Sequence, residues 1–540
     1  MRNVLLMGVL AGLGLCAGTG AAASAKDGPV VRWHFVGTTA LQGNTNASRL
    51  REVCALPSTG KMIEEALGKL ASSPARLFRE SLANTNVDFR PLVRPLLDDL
   101  LAQESMAESR GGGGGPAEWV VAVRLDDPHA ERWKTSWTAI VAALGAAKQV
   151  ESKVEGFPVW ESKRDRAPSL LRLARAKDWV VLGWGQDKLG LQAEWLKRIQ
   201  ASGRPGAPSG DSWLELEADL QALARPLALP ADVSWPRAQM TLTGRGANVR
   251  SNLRLEYAQA LGLKLEPWHI PTNTVREPLV SFTALRGIHP WLAARPLAEA
   301  LGLQPAPNQL FGFAQALTPF ETYWAWSLPD QANALPQAAL RLAGALTNHY
   351  PQFAMGQIVY LTNRAQVTWQ GLPVLVPFLR PAQENDFVLA GVFPKTGGPK
   401  VSPPAPAELY AQVTGPADLV YYDWEITEQR VSAWRSLRAF YELLAKHGSP
   451  PTNSPALLWL ADTNVTRQLG NAVTECSSRS PRELAAVRTS AVGLTGFELV
   501  SLAHWISNPA FPAYVPVPAR VERKKPAAGQ RPPPRPASGE

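Results

Sequence analysis

Apolar runs of strand length recur along this chain and fall in an order that occurs twice. The first set opens on Val31-Arg32-Trp33-His34-Phe35-Val36, continues through Glu118-Trp119-Val120-Val121-Ala122-Val123-Arg124-Leu125, and reaches Asp178-Trp179-Val180-Val181-Leu182-Gly183-Trp184. The second opens on Leu279-Val280-Ser281-Phe282-Thr283-Ala284, continues through Thr322-Tyr323-Trp324-Ala325-Trp326-Ser327-Leu328, and reaches Asp386-Phe387-Val388-Leu389-Ala390-Gly391-Val392. Val, Phe and Trp in runs of this length predict strands packed on at least one face. Gly156–Trp160 against Gly371–Leu375, and Trp213–Glu217 against Leu419–Asp423, extend the parallel. The recurrence predicts a duplicated unit. Closing hairpins are expected at Arg237–Tyr257 and Ala485–Trp505, with Met240, Leu242, Leu253 and Leu255 turned to a core.

The pattern changes to a helical period between Asn46 and about Met106. Met62, Ile63, Ala66, Leu67 and Leu70 make one apolar stripe, and Leu92, Val93, Leu96, Leu97 and Leu100 make another. Asn46 is the expected cap of the opening helix. Antiparallel pairing with segregated helices predicts an α+β fold of two related halves, each an antiparallel sheet packed with helices. The first half spans 26–270, with its helical insertion at about 46–106, and the second spans 271–508. Glu266–Glu277, rich in Pro and Thr, reads as the linker between them. Residues 509–540 read as a disordered basic, Pro-rich tail.

The amino terminus reads as a secretory signal peptide over residues 1–25. Arg2 supplies the charge, Val4–Ala17 the short apolar run, and Ala23-Ser24-Ala25 the cleavage site. An exported protein, periplasmic or extracellular, is expected. Lipid attachment at Cys16 is disfavoured by the bulk of Leu15 just before it. No later stretch is apolar for long enough to predict a transmembrane helix.

Hydrophobic content of 45% and charged content of 19% are those of a globular chain. Much of the net charge of +9 lies in the tail, where Arg520, Arg523, Lys524, Lys525, Arg531 and Arg535 outnumber Glu522 and Glu540. A modestly basic body of that kind argues against nucleic acid as a partner. After export only Cys54 and Cys476 remain. Pairing would close a very long loop, and two buried thiols are the simpler expectation, with pairing left open.

Trp33-His34-Phe35-Val36-Gly37, Asn44-Thr45-Asn46-Ala47, Leu265 to Asn273 and Pro307-Asn308-Gln309-Leu310-Phe311 together resemble an uncharacterised family of secreted bacterial proteins. The resemblance covers most of the chain and implies an exported bacterial protein of two similar α+β halves. It carries no activity and no catalytic residue.

Local motifs offer little chemistry. Gly210-Asp211-Ser212-Trp213 is similar to a lipase and esterase motif but lies in mid-chain, where a turn before a strand explains it better. The seven histidines are too scattered to predict a metal site, and no cofactor motif is present. Asp98-Asp99 falls on a helix, where neighbours cannot converge on one bond, and Asp126-Asp127 sits in the turn after a strand, where Asp suits turn chemistry. Nineteen tryptophans is the one compositional hint of binding, through indoles that stack on sugars or line apolar grooves. Trp33, Trp119, Trp179, Trp324 and Trp326 lie within strands and belong to the core. Trp268, His269, His289 and Trp291, in the region where the halves meet, are the candidate ligand-binding residues of a groove between halves. These features point to an exported non-enzymatic binding or scaffold protein of the envelope, with a polysaccharide or lipid as possible partner. The alternatives are a hydrolase whose site is assembled from sequence-distant residues and a carrier of an apolar ligand.

Overall fold

A computed structural model describes residues 29–512 except 78–86, 112–117, 144, 146–148, 164–169, 186–188, 208–209, 225–228, 230–232, 294–305, 316–320, 350–355, 373–374, 385, 394–401 and 446–452. The signal-peptide assignment, most of the glycine run after Gly111, and residues 513–540 lie outside the described residues.

Among the described residues twenty strands form one antiparallel sheet. The first ten are β1 (Val31–Phe35), β2 (Ser105–Arg110), β3 (Glu118–Arg124), β4 (Val150–Val154), β5 (Phe157–Lys163), β6 (Leu170–Ala176), β7 (Trp179–Gly185), β8 (Leu214–Asp219), β9 (Arg237–Arg245) and β10 (Asn248–Glu256). The others are β11 (Leu279–Arg286), β12 (Gln309–Gln315), β13 (Thr322–Ser327), β14 (Gln357–Leu361), β15 (Gln366–Gln370), β16 (Phe378–Pro381), β17 (Phe387–Gly391), β18 (Leu419–Ile426), β19 (Asn471–Ser480) and β20 (Glu483–Ser490). In space the first half runs β4-β5-β6-β7-β3-β2-β1-β8-β9-β10. The second runs β14-β15-β16-β17-β13-β12-β11-β18-β19-β20, the same permutation strand for strand. Antiparallel pairing of β10 with β20 joins them.

The two halves agree in register as well as in order. Arg124 lies opposite Trp179, and Ser327 lies opposite Phe387. The amide of Leu125 donates to the Asp178 carbonyl at 2.8 Å, and that of Leu328 to the Asp386 carbonyl at 2.9 Å. Carried across the sheet, this register makes Asn252 and Val487, which face each other in the joining pair, equivalent positions. The halves are therefore related by a pseudo-dyad through that pair, perpendicular to the sheet.

Helices cover the sheet unequally. On the front face lie α1 (Ser48–Ala55), α2 (Pro57–Ser72), α3 (Arg90–Ala102) and α4 (Asp127–Ala143). The back face of the first half is closed by α5 (Gly190–Ser202), whose Leu191, Trp195, Leu196 and Ile199 pack on Val120, Ala174 and Val181. In the second half α6 (His289–Ala293) follows β11, α7 (Gln331–His349) packs on β14–β16, and α8 (Ala407–Thr414) lies on the back. Then α9 (Thr427–Ala445), α10 (Pro455–Ala461) and α11 (Gly496–Ser507) return to the front. There α10 packs on α2 and on α11, so one core holds Met62, Leu67 and Leu97 together with Trp459, Leu460 and Ile506. Strand alternation sorts the two faces: Trp119, Val121 and Val123 belong to the front core, Val120 and Ala122 to the back one.

Several sequence expectations need correction. The second hairpin is β19–β20, and most of Ala485–Trp505 beyond Ser490 is the helix α11, whose Leu499, Leu502, Ala503 and Ile506 are buried at helical spacing. Residue 47, not Asn46, caps α1, and no side chain accepts there. The counterpart of β5 is β15, so Gly371, where the match to Gly156–Trp160 begins, falls just after the strand that corresponds to it. Cys54 is exposed, Cys476 half-buried, and the two are unpaired. Trp324 is 41% exposed, unlike the other four strand tryptophans. Phe511, which the sequence reading placed in the tail, is fully buried against Trp505.

Candidate functional site

In the first half Arg124, at the end of β3, donates from Nε to Asp178 at 2.6 Å. The equivalent of that arginine in the second half is Ser327, which is too short to do so. The carboxylate of Asp386 instead faces His269 of the linker, with Nδ1 3.4 Å from Oδ2. A cleft of about 490 Å³ opens there, walled by the linker, β12 and the ends of β13 and β17. Pro267, Pro307 and Pro329 come from three different segments and stiffen its walls.

Amides of β12 and its approach fasten the linker in place. Gln309 accepts from the His269 amide at 2.9 Å and donates to the Pro267 carbonyl at 2.7 Å. Asn308 donates to the Lys264 carbonyl at 2.9 Å. Beneath them Arg286, 3% exposed, donates to the carbonyls of Glu266, Ala417 and Leu419 at 2.8, 2.7 and 2.7 Å. Trp268 covers that guanidinium, 4.6 Å from its ring centre, and leans on Phe311. Burial lowers the Arg286 pKa.

The structure thus brings two of the four expected ligand-binding residues into one cleft. His269 and His289 both line it. His289, at the start of α6, must carry its proton on Nδ1, which donates to the Ala306 carbonyl at 2.6 Å, so Nε2 is left available. Trp268 supports the floor through Arg286, and Trp291, 59% exposed, is not part of the lining. The lining residues come from the connecting segment 264–269 and from the second half. Sequence reasoning missed Ser327 and Asp386, because their importance shows only against Arg124 and Asp178.

The cleft can hold a small polar ligand. Lys264, Glu266 and the two imidazoles present charge and hydrogen-bonding groups, while Phe387 and the prolines present apolar surface. Ser327, His269 and Asp386 are residue types that could serve nucleophilic catalysis, but among the described residues no hydrogen bond joins Ser327 to His269. Among the described residues no group of three or more His, Cys, Asp or Glu is placed to hold a metal ion.

A second polar cluster lies on the front face. Trp33, Leu216, Met240 and Leu253 form a cross-strand row in the first half. The equivalent row in the second half is Thr283, Asp423, Thr474 and Arg488. Thr283 donates to Asp423 at 2.6 Å, and Arg488 donates to Thr474 at 2.9 Å and to Glu498 of α11 at 2.7 Å. One rung along, Glu425 accepts from the Gly496 amide at 2.6 Å. Burial raises the carboxyl pKa of both Asp423 and Glu425 and lowers that of the Arg430 guanidinium above them. The α9 and α11 helices cover this cluster, which makes it part of the core rather than a receptor.

Among the described residues no helix is long and apolar enough to cross a membrane. No family profile and no curated protein matches the chain. Two solved structures align loosely with part of it. Crystal form I of TP0453 is 11% identical with a TM-score of 0.23, covering 45% of this chain and 77% of that one. Crystal form IV of TP0453 is 12% identical with a TM-score of 0.24, covering 45% and 79%.

Proposed function

We propose that this chain is an exported, non-enzymatic binding protein of the bacterial envelope, built by internal duplication, whose ligand occupies the cleft at His269 and His289. The observation that carries this reading is the preformed cleft of about 490 Å³, within the usual range of small-molecule sites. Its walls are held by amide clamps and a buried arginine before any ligand arrives, so little ordering is left for binding to pay. The signal-peptide pattern at residues 1–25 supports export, with Lys26 as the mature amino terminus.

Native purification from the periplasm or the medium tests this reading. Intact-mass analysis should show a chain beginning at Lys26, and native mass spectrometry should show a small polar molecule that is lost in His289→Ala. A cytoplasmic, uncut chain would end the export claim. A stoichiometric lipid would move the protein to the carrier reading.

One observation favours a second reading, a hydrolase. Ser327 and His269 share the cleft, and Asp386 stands behind the imidazole at 3.4 Å. Turnover of chromogenic esters that disappears in both Ser327→Ala and Asp386→Asn would establish it. His269 is 65% exposed to water, which favours the binding reading.

A further inference from the structure

At the other end of the same back face, Tyr323 of β13 is 3% exposed, and its hydroxyl has no hydrogen-bond partner. Two more buried polar atoms without partners belong to its neighbours: Oε2 of Glu321 and Nε of Arg380. Glu321 stands two residues before Tyr323 and so points to the same face. Arg380 of β16 lays its guanidinium 5.6 Å from the Phe378 ring, and that ring lies 6.4 Å from the ring of Tyr323. Burial, reinforced by the Glu321 charge and opposed by Arg380, pushes the Tyr323 phenol up to about 12. Among the described residues neither charge forms an ion pair.

The first half shows that the fold does not need these groups. Val120 occupies the position of Tyr323, each opposite a glycine, Gly183 and Gly391. Ala174 occupies that of Arg380, opposite Val181 and Leu389 respectively. Both are completely buried in an apolar core. Glu118, the counterpart of Glu321, is fully used, because its carboxylate accepts from the Gln192 amide at 3.1 Å and from neighbouring amides at the start of α5. The second half has therefore replaced two apolar side chains by a phenol and a guanidinium and left a carboxylate oxygen unpaired. Native folds leave few buried polar atoms unsatisfied, because each costs free energy.

We propose that Glu321, Tyr323 and Arg380 form a binding site for a small zwitterion, a free amino acid or a molecule with the same carboxylate and ammonium. Arg380 Nε and the Tyr323 hydroxyl donate to the carboxylate, and Glu321 accepts from the ammonium. One positive and one negative side chain leave no net charge, so a ligand carrying a single charge would leave one protein group uncompensated. Phe313, 5.4 Å from the Tyr323 ring, and Phe378 offer the hydrocarbon part of the ligand an aromatic wall.

Saturation-transfer NMR on the mature chain tests the site with L-phenylalanine, its N-acetyl derivative and its amide. Phenylalanine should bind, with each capped derivative at least about tenfold weaker, a factor worth about 1.4 kcal/mol. In Glu321→Gln the N-acetyl derivative should bind as well as phenylalanine, and in Arg380→Met the amide should do so. Tyr323→Phe should weaken binding while leaving the ligand-free melting temperature unchanged or higher, since it removes an orphaned hydroxyl; a structural role would lower it. The proposal is overturned if no standard amino acid binds at about 10 mM, weaker than any useful affinity. Equal binding of the capped derivatives would overturn it, as would a crystal grown with phenylalanine in which only ordered waters meet the three atoms.

Discussion

Asn252 and Val487 lie directly opposite each other where β10 meets β20, and the pseudo-dyad relating the two halves passes between them. Joining two sheets edge to edge removes the exposed edges that β10 and β20 would otherwise present. The seam is reinforced in front, where helices of both halves share one apolar core. The protein should therefore unfold as a single cooperative unit. Calorimetry should give one transition, and two separately melting transitions would contradict the shared core. Val487→Pro, in a strand paired on both sides, should cost about 3 kcal/mol or more.

Glu65 of α2 reaches into the second half. Its carboxylate accepts from the Ser454 hydroxyl at 2.8 Å and the Ala456 amide at 2.9 Å, which places a negative charge at the start of α10. Lys69, one turn along, also donates to it at 2.8 Å. Glu65→Ala orphans these donors and should destabilise the chain by about 2–4 kcal/mol in urea titrations. Glu65→Gln keeps one acceptor and should lose less. Equal loss in both variants would assign the effect to packing instead.

The front polar row predicts a pH dependence of known sign. Asp423 and Glu425 have carboxyl pKa values raised by burial, with Arg430, Arg488 and Glu498 around them. A group whose folded pKa is raised binds its proton more tightly in the fold than in the open chain. Its stabilising contribution is full below the unfolded value, about 4, and is lost as pH climbs through the raised folded value. Asp423→Asn keeps an acceptor for Thr283 without the charge. Its urea midpoint should therefore fall less than that of the natural chain as pH climbs above about 4. Parallel pH profiles for the two proteins would refute the assignment.

Gly244 and Gly312 both lie under tryptophan rings, but the rings differ in freedom. A Cβ on Gly244 would sit 2.1 Å from the Trp213 ring and 2.7 Å from Asn46, and Trp213 is buried. A Cβ on Gly312 would sit 2.7 Å from Trp324, whose ring is partly in solvent and can swing aside. Gly244→Ala should cost about 3 kcal/mol and Gly312→Ala about 1 kcal/mol or less. Urea titration of the two variants decides it, and similar losses would show that Trp324 is as fixed as Trp213.

The α+β class and the starts of β1 and β11 were legible because Val, Phe and Trp runs mark buried strands, and the α2 stripe because all five of its apolar positions are buried. The β9–β10 hairpin was legible because alternation stops at Gly246, where a left-handed turn reverses the chain. The second hairpin was misplaced because the α11 run Phe497-Glu498-Leu499-Val500-Ser501-Leu502 is apolar nearly throughout and hides its period. Trp268 and Trp291 stood out as tryptophans near prolines and histidines, and of the four residues named there His269 and His289 line the cleft. Ser327 and Asp386 were missed, since one serine and one aspartate at strand ends carry no local signal. Glu321, Tyr323 and Arg380 become conspicuous only beside Glu118, Val120 and Ala174, a comparison that requires strand register.

Arg286 ties the linker, the cleft floor and β18 together, so its removal should act on all three. The planar guanidinium meets carbonyls on two separate segments, Glu266 on one side and Ala417 with Leu419 on the other. Arg286→Met would leave those acceptors without this donor, at about 1–3 kcal/mol for each one that water cannot reach, and would strip Trp268 of the cation beneath it. Arg286→Lys should rescue little, because a single ammonium cannot span three carbonyls that a rigid fork reaches at once. Both variants should speed amide exchange across residues 264–270 while leaving α5, which packs on the first half, protected. A lysine variant as protected as the natural chain would mean that charge alone, not the geometry of the fork, holds the linker against the sheet.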